Sequence, residues 1–355
     1  MRVGILTSGG DCQALNATMR GLALTLYRKV KDVEIIGFID GYKGLMYEKY
    51  KKMKPKDFYD ILNVGGSILG NSRCPFKRMR IIENGFDKVK AMKNTYKKLE
   101  LDCLVVLGGN GSIKSANMLS QEGLNVIALP KTIDNDAWGT DYTFGYSSAT
   151  AIATRYLDEI KTTAASHSRV FVIEVMGHKV GHICLSAGIA AGADVILLPE
   201  IPYDIKVVAK KVKETLKNEK NYAIIACAEG AISEADALMK RKDYKAKVLA
   251  RNGRSVAYEV ADELSQEIDA EIRVSCIGHA QRGGNPDSYD REISTRFGVE
   301  GARLIIKKHY GEYVVLQGNH VTHIPLEATA GKLKFVDTEG EIVQSAKLVG
   351  ISFGE

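Results

Sequence analysis

Two carboxylates lie close together directly after a short apolar run at residues 126–129. Asp134 and Asp136 are separated by one residue, and the hydroxyl of Thr132 precedes them. At the end of a strand, such a pair can divide the work, because one carboxylate can accept the proton of an attacking alcohol while the other helps to hold a metal ion. The spacing alone also fits an Asx-rich turn with a purely structural role.

Glycine-rich turns follow two other apolar runs. Gly9 and Gly10 come after residues 3–7, and a Gly-Gly-Asn-Gly-Ser turn at 108–112 comes after residues 103–107. Glycines expose backbone N–H groups, and a helix that begins after such a turn adds the positive end of its dipole, so both turns suit phosphate oxygens. A single Gly-Gly turn is as easily structural as functional. Two of them predict a phosphate site at the carboxyl edge of one sheet.

A third glycine-rich segment, at 65–73, is followed by three cations: Arg73 at its end, then Lys77 and Arg78. These side chains could neutralise the charge that spreads over a phosphoryl group during transfer. The alternative interpretation is that they are surface cations on a loop. Nothing in the chain matches the Gly-x-x-x-x-Gly-Lys-Ser/Thr loop, which argues against a P-loop enzyme.

Short apolar runs with β-branched residues alternate with longer amphipathic stretches, as is typical of strands that are covered on both faces. The predicted strands are residues 3–7, 35–39, 103–107, 126–129, 170–175, 195–198 and 222–227. The predicted helices are residues 16–27, 86–99, 147–162, 205–216 and 254–268. This alternation predicts an α/β fold. We expect two lobes, each a mainly parallel sheet flanked by helices, because the 355 residues exceed the roughly 250–300 at which single cores stop growing.

The composition restricts the class of protein. The net charge of +6 suits an anionic ligand, while the basic run at 49–56 lacks a repeated stacking motif and predicts a solvated face rather than nucleic-acid binding. The six cysteines include no CxxC pair, so neither a zinc site nor a disulfide framework is predicted. The N-terminus does not resemble a signal peptide, and no apolar run reaches the roughly 18 residues that span a bilayer. We expect a soluble, cytoplasmic protein that binds neither nucleic acid nor a membrane.

The order of these motifs resembles that of the 6-phosphofructokinase family. The matching segments are residues 9–11, 70–73, 108–112, 131–136, 176–177 and 278–284. The resemblance extends over residues 1–325. It implies that residues 1–145 with 281–331 form a donor-binding lobe, and that residues 146–280 with 332–355 form a sugar-phosphate-binding lobe.

By this resemblance, Asp134 is the general base that takes the proton from the 1-hydroxyl of fructose 6-phosphate. Thr132, Asp136 and Arg73 complete the implied catalytic set, and Asn110 and Asp136 are the implied contacts to Mg²⁺. The implied donor-binding residues are Gly10, Arg73, Cys74, Arg78, Gly109, Asn110, Gly111, Ser112 and Lys131.

The resemblance also implies contacts to the sugar phosphate. The implied residues are Thr132, Ile133, Asp134, Arg169, Met176, Gly177, His178, Glu229, Arg273, His279 and Arg282. Guanidinium groups suit a phosphate dianion, because they form bidentate, charge-assisted hydrogen bonds. Arg169 and Arg273 match arginines that reach the 6-phosphate from a neighbouring subunit, which implies a homodimer or homotetramer with shared sites.

Several positions depart from the family pattern. Asn110 stands where many members have Asp, and an amide oxygen is a weaker ligand for magnesium than a carboxylate. His178 replaces an arginine, so a permanent cation becomes one that titrates near neutral pH. Leu24 replaces an arginine of members that are regulated by ADP and phosphoenolpyruvate, so we expect a weak or absent response to both.

The sequence leaves the phosphoryl donor and the catalytic competence open to more than one interpretation. In the family, a carboxylate in place of Gly111 accompanies pyrophosphate use, so Gly111 favours ATP. Lys131, in contrast, is the residue of the pyrophosphate-using branch. We expect ATP as the donor, with pyrophosphate as the alternative. A further alternative, suggested by Asn110 and His178, is a phosphosugar-binding regulatory subunit with little turnover. A lipid or NAD kinase would share a glycine-rich turn but not the segment 278–284.

Overall fold

Strands and helices alternate along most of the chain in the computed structural model, which describes residues 1–218, 220–329 and 331–355. The strands are β1 (Arg2–Ser8), β2 (Glu34–Phe38), β3 (Tyr50–Met53), β4 (Cys103–Gly108), β5 (Val126–Pro130), β6 (Val170–Val175), β7 (Val195–Leu197), β8 (Ala223–Ala228), β9 (Ile272–Cys276), β10 (Glu312–Gln317) and β11 (His320–Pro325). The helices are α1 (Leu15–Lys29), α2 (Tyr42–Met46), α3 (Lys88–Lys98), α4 (Asn110–Gln121), α5 (Tyr146–His167), α6 (His182–Ala190), α7 (Ile205–Asn218), α8 (Glu234–Ala237), α9 (Arg241–Ala250), α10 (Val256–Ser265), α11 (Ser288–Ile306), α12 (Leu326–Thr329) and α13 (Glu341–Leu348). Short 3₁₀ helices span Pro55–Phe58, Phe76–Arg78 and Gly278–Arg282.

The chain divides into two compact units. The first unit consists of residues 1–148 and 282–334. Its sheet has seven strands in the order β11-β10-β5-β4-β1-β2-β3. The pairs among β10, β5, β4, β1 and β2 are parallel, whereas the edge strands β11 and β3 are antiparallel to their neighbours. The carboxyl ends of β1, β4 and β5 therefore lie side by side at one edge of this sheet.

The second unit consists of residues 149–281 and 335–355. Its four strands are all parallel, in the order β7-β8-β6-β9. Val172, Val195 and Ile225 lie in a core cluster with side chains from α7 and α10. The predicted α/β class, with mainly parallel sheets flanked by helices, is confirmed in both units.

All predicted strands are present, with ends within one residue of those predicted. The edge strand β3 and the strands β9, β10 and β11 were not predicted. For β3 the reason is that it lies inside the exposed basic run at 49–56 and has mostly polar residues. The exposure of that run agrees with the predicted solvated face. The six cysteines are free. In the described part of the chain, no helix has the length and apolar character needed to cross a membrane.

The long helix α11 was also missed, and its glycines explain why. Gly298 and Gly301 lower the intrinsic helix propensity of the segment. In the fold, α11 packs on α1, and a methyl group at Gly298 would lie 2.3 Å from the carbonyl oxygen of Thr18. Close packing of α11 on α1 therefore requires glycine at residue 298, and this same glycine weakens the helix signal in the sequence.

Candidate active site

The first glycine turn is joined to the glycine-rich loop at 65–73. The N–H of Gly9 donates to the carbonyl of Ser72 at 3.1 Å, and the hydroxyl of Thr7 donates to the carbonyl of Gly70 at 2.7 Å. Gly9 has a φ of +94°, in the left-handed region that favours glycine. Hydrogen bonds from the end of β1 thus hold the start of the segment 73–78, which contains the three cations Arg73, Lys77 and Arg78.

Asn16, in the first turn of α1, also holds this loop, although the sequence did not mark it as functional. Its side chain is fully buried, its Nδ2 donates to the carbonyl of Val64 at 2.8 Å, and its Oδ1 accepts the N–H of Ile68 at 2.9 Å. Both ends of the amide are therefore used to shape a loop 48 to 52 residues away. A polar residue within a buried helix face was the one signal available in the sequence.

The second glycine turn leads directly into α4, whose N-cap is Gly109. A methyl group at Gly108 would lie 2.3 Å from Cβ of Ser112, so the turn requires glycine there. A methyl group at Gly111, in contrast, would have no heavy atom within 4 Å outside its own turn of helix. The first N–H groups of a helix lack intrahelical acceptors, so this turn offers donors to an anion beside the open space at Gly111.

Lys131 connects β5 with the first glycine turn. Its side chain is buried and its ammonium donates to the carbonyl of Gly10. Burial lowers the pKa of Lys131 to about 8, with the nearby Arg282 guanidinium acting in the same direction and the Asp134 and Asp11 carboxylates opposing it. The structure thus places a cation of reduced basicity beside the first glycine turn.

Arg282 lies against the same turn. Its Nη1 donates to the carbonyl of Asp11 at 3.0 Å, and a methyl group at Gly10 would lie 2.8 Å from that nitrogen. The sequence predicts Arg282 as a sugar-phosphate contact, and its observed neighbours belong to the predicted donor side. A side chain at residue 10 would displace the guanidinium group of Arg282 from this position.

The acidic turn after β5 is fixed by the residue between its carboxylates. Asn135 has a φ of +52°, which Asn tolerates better than most residues, and its Oδ1 accepts the N–H of Thr143 at 3.1 Å. The hydroxyl of Thr143 donates to the carbonyl of Thr132 at 2.7 Å, and the N–H of Asp134 donates to Oγ1 of Thr132 at 3.1 Å. Asp134 and Asp136 are both half-buried on this braced turn.

Asn110 contacts Asp136 directly. Its Nδ2 donates to Oδ2 of Asp136 at 2.6 Å, so the two residues predicted to contact Mg²⁺ lie together. A carboxylate at position 110 could not donate this hydrogen bond. Magnesium is commonly held by one or two carboxylates together with substrate phosphates. Asp136 fits that pattern as the carboxylate, while the observed bond uses the amide nitrogen of Asn110 to orient it.

A small cavity adjoins the cationic segment of the first unit. It has a volume of about 220 Å³, and its lining includes Met46, Tyr47 and Met79 together with Arg73, Cys74 and Arg78. The ring of Tyr47 stacks on that of Phe86 with the centroids 5.2 Å apart. Arg78 forms an ion pair with Glu83 at 3.1 Å. The cavity is lined by both apolar and cationic side chains. Arg73 in its lining directly follows Ser72, whose carbonyl accepts the N–H of Gly9.

In the second unit, three of the predicted sugar contacts share one loop after β6. The backbone N–H groups of Gly177, at 3.4 Å, and of His178 both donate to Oε1 of Glu229. Gly177 and His178 have φ values of +155° and +53°. The N–H of Met176 donates to Oε1 of Gln281 at 3.3 Å. His178 and His279 are exposed. Residues 176–178 follow β6, Glu229 follows β8 and His279 follows β9, so these predicted contacts lie at the carboxyl ends of the three strands.

Arg169 and Arg273 lie at the opposite end of that sheet. Arg169 precedes β6 and Met176 follows it, so the two residues are roughly 23 Å apart at about 3.3 Å per residue. Both guanidinium groups pair with the carboxylate of Glu271, Arg169 at 2.8 Å. The pairing lowers the pKa of Glu271. The two arginines therefore do not join the other predicted sugar contacts of the second unit, and Glu271 was not predicted.

The comparisons with known proteins agree with these motifs. The family model described as Phosphofructokinase matches residues 2–305. The chain is 46% identical to an ATP-dependent 6-phosphofructokinase of Spirochaeta thermophila, over 99% of this chain and 97% of the relative. It is 42% identical to ATP-dependent 6-phosphofructokinase 3 of Bacteroides thetaiotaomicron, over the full length of both chains.

Solved structures give the same result for the fold. The Pichia pastoris phosphofructokinase in the T-state matches with a TM-score of 0.80 and 29% identity over 93% of this chain, although this chain spans only 35% of that longer polypeptide. A pyrophosphate-dependent phosphofructokinase of Nitrosospira multiformis, 20% identical, matches with a TM-score of 0.81 over 96% of this chain and 87% of its own, which shows the fold alone. Together with the family match, these likenesses establish that the chain belongs to the phosphofructokinase family.

Proposed function

We propose that the chain is an ATP-dependent 6-phosphofructokinase, a phosphotransferase of glycolysis that converts fructose 6-phosphate and ATP into fructose 1,6-bisphosphate and ADP. The observation that carries the proposal is that the carboxyl ends of β1, β4 and β5 lie side by side in the sheet of the first unit. Two glycine turns and the acidic turn follow these neighbouring parallel strands. Ligands of open α/β sheets bind at such an edge. The named relatives support this activity for the chain.

Asp134 acts as the general base. Its N–H bond to Thr132 and the bracing by Asn135 hold the carboxylate on a rigid turn. A carboxylate so held can take the proton from the 1-hydroxyl as the oxygen attacks the terminal phosphorus of the donor. The bond from that phosphorus to the bridging oxygen breaks, and ADP leaves with the bonding electron pair.

Cations and backbone N–H groups stabilise the charge that is transferred. Lys131 and Arg282 flank the first glycine turn, and Arg73 extends from the loop that is tied to it. Fixed donors aimed at developing negative charge lower the barrier without reorganisation during the reaction. The turn at 108–112 adds the N-terminus of α4.

Asp136 would hold Mg²⁺, with Asn110 orienting its carboxylate. A bound magnesium ion neutralises phosphate charge and aligns the terminal phosphoryl group. Since the amide of Asn110 donates to Asp136, its own contribution as a ligand would pass through its Oδ1. The role proposed for this chain's residues is to present one oriented carboxylate to the metal and the donor phosphates.

Residues of the second unit supply the sugar-phosphate contacts. Met176, Gly177, His178, Glu229 and His279 lie at the carboxyl ends of the strands of that unit. Glu229 shapes the 176–178 loop through its Oε1, which leaves Oε2 as the oxygen for a sugar hydroxyl. Arg169 and Arg273 lie at the other end of the sheet, and we propose that they reach the 6-phosphate of a neighbouring subunit in a homodimer or homotetramer. A cytoplasmic location accords with the free cysteines.

The open space at Gly111 and the cavity beside Arg73 favour ATP as the donor. A nucleotide needs room for its α-phosphate and a surface for its base, and pyrophosphate needs neither. Pyrophosphate remains the second candidate, because Lys131 provides a buried cation of the kind found in the pyrophosphate-using branch.

A coupled assay tests both the reaction and the donor. Purified protein is supplied with fructose 6-phosphate, magnesium and either ATP, GTP or pyrophosphate, and formation of fructose 1,6-bisphosphate is followed through aldolase. We expect turnover with ATP at least about tenfold more efficient than with pyrophosphate. Binding of fructose 6-phosphate without turnover on any donor would instead support the regulatory-subunit alternative. Preference for pyrophosphate would refute the donor assignment alone.

A further inference from the structure

The last segment of the first unit, residues 331–334, returns to the acidic turn. Leu333 forms an antiparallel β-bridge with Ala137. The backbone N–H of Lys334 donates to the carbonyl of Asp136 at 2.9 Å. A segment almost 200 residues later in the chain thus pairs with the residues that directly follow the two carboxylates.

The side chain of Lys334 extends this contact across the next loop. Its ammonium donates to the carbonyls of Thr140 and Asp141, both at 2.9 Å. Its backbone holds the loop at Asp136, and its side chain holds it at Thr140 and Asp141. One residue therefore spans the loop 136–141 from its beginning to its end.

We propose that Lys334 is a positioning residue for Asp136, an inference that rests on the proposed phosphofructokinase activity. Asp136 is oriented by Asn110 on one side, through the 2.6 Å bond to its carboxylate, and by the Lys334 segment on the other, through its carbonyl. Release of the loop at 140–141 would let the backbone of Asp136 move relative to the phosphate-binding turns. Lys334 thereby acts on magnesium and donor alignment without touching the substrate.

A purely space-filling role would not require a cation at this position. The Lys334 ammonium satisfies the carbonyls of Thr140 and Asp141, a contact that an apolar side chain cannot make. Carbonyl groups left without a partner away from water are unfavourable. Lys332 offers a contrast, because it is exposed and its ammonium lies over the ring of Trp138 at 4.2 Å from the centroid.

The test compares Lys334→Met, which keeps the unbranched stem and removes the ammonium, with Lys334→Arg, which keeps charge and donors. Lys332→Met is the comparison variant in the same segment, because it removes only the contact of that ammonium with the ring of Trp138. Hydrogen exchange of the peptide covering 136–141 reports on the loop directly in the absence of substrates. We expect clearly faster exchange in Lys334→Met, partial restoration in Lys334→Arg, and a smaller change in Lys332→Met than in Lys334→Met.

Kinetics of the full-length enzyme supply the second readout. In Lys334→Met we expect kcat to fall by about 5-fold to 10²-fold, the range for a misplaced reacting group. The magnesium concentration for half-maximal rate should rise several-fold, while the KM for fructose 6-phosphate changes by less than about twofold, because the residue acts on Asp136 and not on the sugar.

Unchanged exchange in folded Lys334→Met, or an equal effect in Lys332→Met, would overturn the proposal. An equal loss in all kinetic constants together with a fall in the free energy of unfolding would also overturn it, since that is the pattern of general destabilisation. If Lys334→Met does not fold, Lys334→Arg decides through the same exchange and magnesium measurements. A wild-type protein without phosphofructokinase activity refutes the proposed function, whereas the exchange experiment still reports whether Lys334 holds the loop.

Discussion

Replacing Gly111 with aspartate should separate the stability of the fold from the use of ATP. Gly111 lies in the first turn of α4, and a Cβ there would have no heavy atom within 4 Å outside its own turn of helix. Loss of a helical glycine and gain of a carboxylate near a helix N-terminus are each favourable by several tenths of a kcal/mol. We therefore expect Gly111→Asp to raise the free energy of unfolding by about 0.5–1.5 kcal/mol.

The same substitution should oppose nucleotide binding. A carboxylate about 4–5 Å from an α-phosphate repels it by roughly 3–4 kcal/mol at an effective dielectric constant near 20. This corresponds to a loss of about 10²-fold to 10³-fold in kcat/KM for ATP. Activity with pyrophosphate, if present, should be retained, because that donor has no α-phosphate.

Gly111→Asn is the matched control, because it adds the same bulk without the charge. It should reduce kcat/KM for ATP less than Gly111→Asp does. The measurements are steady-state kinetics with both donors and urea unfolding of all three proteins. A kcat/KM for ATP within about threefold of wild type in well-folded Gly111→Asp would refute the placement of the donor α-phosphate beside this turn.

Two further predictions concern the base and the buried cation. Asp134→Asn should lower kcat by about 10²-fold to 10⁴-fold while leaving the affinity for fructose 6-phosphate, measured by calorimetry, nearly unchanged; near-normal turnover would remove Asp134 as the base. Because burial lowers the pKa of Lys131 to about 8, its charge is lost as pH rises through that value, so the KM for ATP should increase between pH 7 and 9, and the Lys131→Met variant should lack this increase. The unfolded chain binds more protons than the folded one between pH 8 and the ordinary lysine pKa, so Lys131 should make the free energy of unfolding rise with pH across that window; a decrease in a wild-type minus Lys131→Met comparison would contradict the assignment.

The strands were predictable because their signal is local. Strands buried on both faces need continuous apolar residues, and β1, β4, β5 and β6 are such runs. The turns that follow these strands could also be recognised from glycines and carboxylates alone. The edge strand β3 and the helix α11 could not, because their local preferences are overridden by pairing with β2 and by close packing on α1.

The contacts that give the site its character join residues far apart in the sequence. Arg282 meets the Gly10 turn across 271 residues, and Lys334 meets Thr140 across 194 residues. Arg169 reaches Glu271, across 102 residues, because β6 and β9 are neighbours in one sheet. No periodicity or motif in the sequence predicts such pairs.

The sequence by itself determined the α/β class, the family, and a set of candidate residues for phosphoryl transfer, because these depend on residue types and spacings within short segments. Only the tertiary structure decided that Asn110 contacts Asp136, that Lys131 is a buried cation of lowered pKa, and that Arg282 lies against the first glycine turn. The physical reason is that hydrogen bonding and burial depend on which distant segments the fold brings together.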